Sequence, residues 1–169
     1  MNRNLRILIA LAAVLVIAGL VLGVDWLQRR QATQALGTST PLPPGSVPIV
    51  YNGQTVAGFL PTDLEKLSLV SFVDAEEGKT QDGWLLRDVL LLYLKPAQLQ
   101  DEAQITVSSS SRDKSATLSW AEVKEASNMV MFDLSNRGTL KLVSLLPQFN
   151  TRNYWIQDAD RIEIVMNEP

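Results

Sequence analysis

Neither cysteine nor histidine occurs anywhere in the 169 residues. Without cysteine the chain has no disulfide, no thiolate metal ligand, no thiol nucleophile and no lipid anchor attached through cysteine. Without histidine it has no imidazole zinc site, no Ser-His-Asp relay and no haem bound through histidine. These two absences exclude most of the common catalytic and metal-binding chemistries before any pattern is considered.

Positive charge is also scarce in most of the chain. Residues 1–30 hold four arginines and one aspartate, a net charge of +3, whereas residues 31–169 hold 11 basic and 17 acidic side chains, a net charge of −6. The second part has no dense Lys/Arg cluster. Nucleic acids and anionic lipids both require concentrated positive charge. We therefore expect no nucleic-acid partner.

A long uncharged run follows the first few residues. From Ile7 to Val24 the sequence is ILIALAAVLVIAGLVLGV, without a charged or strongly polar side chain. At about 1.5 Å per residue, a helix over residues 5–24 spans roughly the 30 Å hydrocarbon layer of a bilayer. We interpret this run as a retained transmembrane anchor that contacts the lipid bilayer, within one helix that continues to about Leu36.

Two other interpretations of the run are weaker. A cleaved signal peptide is compatible with Val21-Leu22-Gly23, but the apolar core exceeds the usual length of about 7–15 residues. A buried helix of a soluble protein would be unusual with so long an apolar run. Arg3 and Arg6 precede the run and favour a cytoplasmic N-terminus. The prediction is a single-pass cell-membrane protein with its soluble domain outside the cytoplasm.

The remainder of the chain predicts a linker and one folded domain. Residues 1–36 form the anchor, and residues 37–47 are rich in Pro, Gly, Ser and Thr, which is typical of a linker. Residues 48–169 predict an α+β domain of short strands, mixed or antiparallel, with two or three short helices. The predicted strands are 48–51, 54–59, 67–73, 103–108, 116–118, 128–133, 139–144 and 161–165. Asn52-Gly53 is expected to form a tight hairpin turn between the first two strands. The alternation of the last strand predicts that Ile162 and Ile164 face inward.

The helices of this domain are predicted from capping and periodicity. Helical turns are expected over 60–67, and the capping box Ser119-Trp-Ala-Glu122 opens a helix that ends near Ala126. A longer helix is expected over 84–94, with Leu85, Val89 and Leu92 on its buried stripe. An acidic loop over 74–83 is expected to precede it.

Several pieces, taken in order, resemble the molybdopterin-binding domain of the sulfite-oxidase-like oxidoreductases. The resemblance covers nearly all of residues 48–166, and each piece alone is unspecific; the order and spacing carry it. The matching pieces are LPTDLEKL at 60–67, GWLLRDVL at 83–90, ITVSS at 105–109, LSWAEV at 118–123, MVMF at 129–132, LKLVSLLP at 140–147, YWI at 154–156 and RIEIV at 161–165.

The sequence departs from this family where the family's chemistry resides. In those enzymes a cysteine thiolate binds molybdenum and basic side chains hold the pterin phosphate. Here the expected position, residues 70–74, reads VSFVD. The resemblance therefore implies a fold and argues against the reaction, because these groups cannot replace a soft thiolate. We predict no cofactor, no metal and no catalytic residue.

The aromatic and basic residues that suit the edge of a ligand pocket are few. The rings of Trp84, Tyr154 and Trp155 are candidates for its walls, and Arg87, Arg112 and Arg137 are candidate anion contacts. For the rings the alternative is ordinary core packing, and for the arginines it is ordinary solvation.

Two further groups are weaker candidates. The acidic loop and a second acidic group offer oxygen ligands for calcium, but neither has EF-hand spacing, and solvated loops are the simpler interpretation. Serines 108–111 beside Lys114 suggest a Ser–Lys nucleophile pair, although a hairpin tip explains them equally well. The acidic residues concerned are Asp74, Glu76, Glu77 and Asp82, and then Asp133, Asp158 and Asp160 with Ser135.

Two hypotheses of function remain. The first is a membrane-anchored, extracytoplasmic, non-catalytic interaction module, such as an accessory subunit of a membrane complex, with a membrane-protein partner. The second is a small-molecule or anion binder that uses a degenerate molybdopterin pocket.

Overall fold

A computed structural model describes residues 41–149 and 151–166 of the chain. The predicted anchor over residues 5–24, with its extension to residue 36, lies outside this part. None of the helices within the described residues has the length and apolarity to cross a membrane.

Short strands dominate the described part. It forms ten strands and two α-helices, together with several short 3₁₀ helices. In chain order these are β1 (Val47–Tyr51), β2 (Gln54–Phe59), β3 (Val70–Val73), β4 (Thr80–Leu85), α1 (Leu86–Leu91), β5 (Gln104–Ser109), β6 (Lys114–Ser119), α2 (Trp120–Lys124), β7 (Met131–Leu134), β8 (Leu140–Val143), β9 (Ile156–Ala159) and β10 (Arg161–Val165).

The strands form two five-stranded sheets. The first has the order β2-β1-β10-β5-β6, in which β1 and β10 are parallel and the other neighbours are antiparallel. The second has the order β3-β4-β7-β8-β9 and is antiparallel throughout. Asp160 alone separates β9 of the second sheet from β10 of the first. The predicted α+β class with short mixed or antiparallel strands is confirmed.

Both sheets contribute to one hydrophobic core. Ile162 and Ile164 of β10 are fully buried, as predicted from the alternation of the last strand. The rings of Phe59, from the first sheet, and Phe132, from the second, lie 6.4 Å apart in this core. Because apolar faces of both sheets are buried together, neither sheet would be stable in water alone.

The local turn and cap signals are also confirmed. Asn52 and Gly53 both have positive φ, at 47° and 78°, as a two-residue Asn-Gly hairpin requires. At the start of α2 the Glu122 amide donates to the Ser119 hydroxyl at 3.2 Å, and the Ser119 amide donates to the Glu122 carboxylate at 2.8 Å. This reciprocal pair is a capping box.

The prediction of a loop over residues 74–83 is wrong in its second half. Thr80 to Leu85 form β4, which pairs with β3 on one side and β7 on the other. Gly83 signals a turn in the sequence but lies inside the strand. A Cβ atom there would approach the Phe132 carbonyl oxygen to 2.1 Å. Glycine is therefore required by the close approach of two backbones, not by a turn.

The predicted helix over 84–94 is correspondingly shorter, because Trp84 and Leu85 belong to β4. The helix α1 buries Leu86, Val89 and Leu90, whereas Leu92 is 46% exposed. The expectation that Leu92 shares the buried stripe is wrong, since the helix ends at Leu91 and its periodicity does not continue. Strand β9 was also missed, because Gln157 and Asp158 interrupt its apolar pattern.

The boundary between linker and domain lies slightly earlier than predicted. Val47, the last residue of the predicted linker, is buried in β1. Leu42 lies against β2 at Gly58, where an added Cβ would be 2.6 Å from the Leu42 side chain. The described end of the linker therefore contacts the first sheet.

Truncation of Val89 tests the position of α1. Val89→Ala should lower the free energy of unfolding by about 1–3 kcal/mol, because a fully buried side chain leaves a cavity. The matched control is Leu92→Ala, which should cost at most about 0.5 kcal/mol although it removes more atoms. Urea unfolding of the full-length protein in mild detergent measures both. Equal costs would contradict the assignment of the buried face.

Candidate functional site

The most connected polar group of the described residues is the Asp74 carboxylate, at the end of β3. Its Oδ1 accepts hydrogen bonds from the backbone amides of Glu76 and Glu77, at 3.0 and 2.8 Å. Its Oδ2 accepts from Arg152 at 2.8 Å and from the Gln81 side chain at 3.2 Å. Asp74 is 3% exposed. The predicted solvated loop is therefore wrong for this residue, which is buried and paired.

Arg152 is the cation that neutralises this loop. It lies in a 3₁₀ turn just before β9, and its second guanidinium nitrogen contacts Glu77 at 2.7 Å. Its backbone amide donates to Glu76 at 2.8 Å. The Glu77 amide, then the Arg152 guanidinium, lower the pKa of Asp74 to about 2 against the opposing effect of burial. The same contact raises the pKa of Arg152.

A continuous chain of contacts extends from this ion pair across the second sheet. The Gln81 amide oxygen accepts from Lys141 at 2.8 Å, and Lys141 pairs with Asp133 at 2.7 Å. Lys141 and Arg152 lie 5.0 and 5.2 Å from the centroid of the Trp155 ring, within the range of cation–π contacts. The Trp155 side chain is thus held by two cations of the same network.

Asp133 and Lys141 of this network line a cleft of about 570 Å³ on the second sheet. The cleft mixes charged, polar and apolar groups, and it lies across strands β4, β7, β8 and β9. Its lining residues are Leu69, Thr80, Asp82, Trp84, Asp133, Leu134, Ser135, Asn136, Arg137, Lys141, Gln157 and Asp158. We call it the larger cleft.

A second cleft of about 310 Å³ adjoins the first at Gln157, which lines both. Its other lining residues are Arg112, Lys114 and Trp155. We call it the smaller cleft. It has two cations in its lining and no carboxylate, whereas the larger cleft has three carboxylates and two cations.

Asp158 lies where the two clefts meet. It accepts hydrogen bonds from Thr139 at 2.7 Å, Arg112 at 2.7 Å and Arg137 at 3.2 Å. Its backbone has φ = 55°, a left-handed conformation that aspartate tolerates better than most residues. The Thr139 hydroxyl, then the two guanidinium groups, lower the pKa of its carboxyl. One carboxylate therefore fixes both arginines.

The structure brings together four of the six candidate pocket residues. Trp84 and Arg137 line the larger cleft, and Arg112 and Trp155 line the smaller. Tyr154 is 59% exposed and lines neither of these clefts. Arg87 contacts Asp88 and the carbonyl of Lys124, away from both.

Sequence reasoning missed the residues that organise this region, above all Arg152, Gln81 and Lys141. Each makes its decisive contact with a residue at least 60 positions away along the chain. The only local signal was the acidic sequence at residues 74–77, because three carboxylates so close together require a cation. Nothing in the sequence indicated which cation supplies it.

The geometry does not support the two weaker candidates, the calcium sites on acidic residues and the Ser–Lys nucleophile pair. Within residues 41–149 and 151–166 no group of three or more acidic side chains could hold a metal ion. Lys114 donates to the Asn153 carbonyl at 2.8 Å, and no described hydrogen bond joins it to a serine hydroxyl. Ser109 is buried and contacts Ser111 instead.

The residues at the position expected for a molybdenum ligand do not suit that metal. Ser71 is an exposed residue of β3, and both oxygens of Asp74 already accept hydrogen bonds from protein groups. Neither provides the soft sulfur donor that the family's metal requires. Comparison with known proteins found no protein-family model and no curated protein that matches this sequence.

The lowered pKa of Asp74 predicts a dependence of stability on pH. The pKa of Asp74 in the folded protein, about 2, lies below its ordinary value of 3.8. The ionised Asp74 carboxylate therefore stabilises the fold above pH 3.8. This contribution is lost as the pH falls through about 2. Asp74→Asn should therefore be less stable at neutral pH and should lose less stability between about pH 4 and about pH 2.

Urea unfolding across this pH range measures the effect. The control is Glu65→Gln, which removes one carboxylate from an exposed position on the 3₁₀ helix Pro61–Lys66 and should leave the acid-dependent loss in place. An Asp74→Asn curve parallel to that of the wild type would contradict the role of the ion pair.

Proposed function

We propose that this chain is a membrane-anchored, extracytoplasmic, non-catalytic interaction module that docks a partner protein on the second sheet. The observation that carries the proposal is the larger cleft, where exposed apolar side chains stand beside fixed charges. Leu69 is 61% and Leu134 42% exposed, and both line this cleft with Arg137. Exposed apolar residues next to arginine and tryptophan are typical of protein interfaces.

The edge strand β3 extends this apolar surface. Leu69 immediately precedes β3, and Val73, the last residue of β3, is 62% exposed. Among the described residues β3 pairs only with β4, so its outer edge has unpaired backbone groups. Such an edge can accept main-chain hydrogen bonds from a partner segment.

The charges of the larger cleft support binding over catalysis. Asp158 holds three donors and its pKa is lowered, so it remains ionised and is a weak base at neutral pH. Lys141 is engaged by Asp133 and Gln81. A catalytic acid or base near neutral pH needs the opposite, a pKa moved toward 7.

The membrane location rests on the sequence. A helix over residues 5–24 would hold the domain close to the bilayer, and the arginines before it favour a cytoplasmic N-terminus. A domain confined in this way encounters other membrane proteins at high local concentration, so a subunit of a membrane complex fits best. We propose that the domain derives from a sulfite-oxidase-like domain that kept its fold and lost its cofactor.

A second candidate function is the binding of a small anion, which the basic lining of the smaller cleft favours. We rank it below docking because sites for small molecules usually enclose most of their ligand within apolar walls. The smaller cleft is lined by Arg112, Lys114, Gln157 and Trp155, of which only Trp155 is apolar.

Site-specific photo-crosslinking in the native host tests the docking face. A photoreactive amino acid at Leu134 should crosslink the chain to one defined membrane protein. The matched control is Leu92, which has similar exposure, 46%, but does not line either cleft. The same product from both positions, or none from Leu134, would contradict the proposal.

Elemental analysis tests the proposed lack of a cofactor. Protein purified from a host that makes the molybdenum cofactor should contain no stoichiometric molybdenum, because the chain has no sulfur ligand other than methionine. A purified sulfite-oxidase-like enzyme from the same host is the positive control. Stoichiometric molybdenum would mean that an oxygen ligand such as Ser71 or Asp74 had replaced the thiolate.

A further inference from the structure

The smaller cleft carries an excess of positive charge in an otherwise acidic domain. Arg112 and Lys114 line it, and the nearest described carboxylate contact is Asp158, which also binds Arg137. Two of these cations, Arg112 and Arg137, therefore share one carboxylate. No carboxylate of residues 41–149 or 151–166 lies within ion-pair distance of the Lys114 ammonium, which donates to a backbone carbonyl. Asp113, between them in sequence, does not line the cleft.

These cations are held in place but remain accessible. The side chain of Arg112 is 42% and that of Arg137 62% exposed, whereas Asp158 between them is 17% exposed. The bond from the Arg112 Nε to Asp158 leaves the terminal guanidinium nitrogens of Arg112 without a described partner. A guanidinium fixed at one nitrogen can still bind an incoming carboxylate through the others.

We propose that the partner inserts an acidic side chain into the smaller cleft, between Arg112 and Lys114, and rests an apolar side chain against Leu134 in the larger cleft. This inference builds on the proposed docking function and names the partner as an acidic segment of protein. The two contacts are compatible with one short segment, because the clefts adjoin at Gln157.

The overall charge argues for a protein segment over an anionic membrane. Residues 31–169 have a net charge of −6, so an anionic bilayer would repel most of the domain's surface. A narrow acidic segment reaches the local cations without approaching the remaining carboxylates. The exposed leucines beside the cations also suit a peptide better than a lipid headgroup.

Selection from a library of random peptides, against the full-length protein in nanodiscs of neutral lipid, tests this inference. Enriched peptides should contain Asp or Glu within a few residues of an apolar side chain. Replacing that acidic residue by its amide should weaken binding by about tenfold or more, because a charge-assisted hydrogen bond is lost.

Variants of the protein locate the contact. Arg112→Gln and Lys114→Gln should each weaken binding of the enriched peptides by about tenfold. Arg112→Lys keeps the charge and should retain part of the affinity. The matched control is Lys66→Gln, which removes one positive charge from a 73% exposed side chain outside both clefts and should change little. Thermal unfolding of each variant confirms that it is folded.

The possible failures are distinguishable. Enriched peptides without acidic residues, or binding unaffected by Arg112→Gln and Lys114→Gln, would overturn the acidic contact and leave the docking face intact. A selection without any enriched peptide would count against both. Binding of inorganic phosphate, or of vesicles that contain anionic lipid, with loss in the same variants and no peptide binding, would overturn the protein segment as the ligand.

Discussion

The ion pair between Asp74 and Arg152 is the contact on which the rest of the second sheet depends. It joins residues 78 positions apart and ties the turn after β3 to the segment that leads into β9. Breaking one half of a buried pair leaves an uncompensated charge, which is strongly destabilising. Through Gln81, Lys141 and Trp155 the same network reaches both clefts, so it fixes their walls as well as the loop.

The two clefts differ in charge. Arg112 and Lys114 line the smaller cleft without a carboxylate, whereas the larger cleft combines three carboxylates, two cations and exposed leucines. Because Asp74 and Asp158 each accept hydrogen bonds on both carboxylate oxygens, the role we propose for this face is recognition of a ligand by complementarity. A surface of this kind suits a partner with matching polarity.

Local patterns were sufficient to predict much of the fold. The Asn52-Gly53 hairpin, the Ser119 capping box and the alternation of Ile162 and Ile164 each depend on residues that are neighbours in sequence. Strand β4 could not be predicted, since Gly83 is explained only by the backbone of β7 beside it. Of the residues that line the two clefts, Trp84, Arg112, Arg137 and Trp155 are candidates by residue type alone. The contacts of Arg152 and Asp158 join residues distant in sequence, so no local pattern predicts them.

Hydrogen–deuterium exchange of the full-length protein, with and without Arg152→Met, tests the central claim that this ion pair organises the second sheet. Local opening free energies report directly which segments depend on a contact. We predict faster exchange at residues 74–81 and also in β8 and β9, with β1 and β10 of the first sheet unchanged. Faster exchange confined to residues 74–79, or spread evenly over both sheets, would contradict this account.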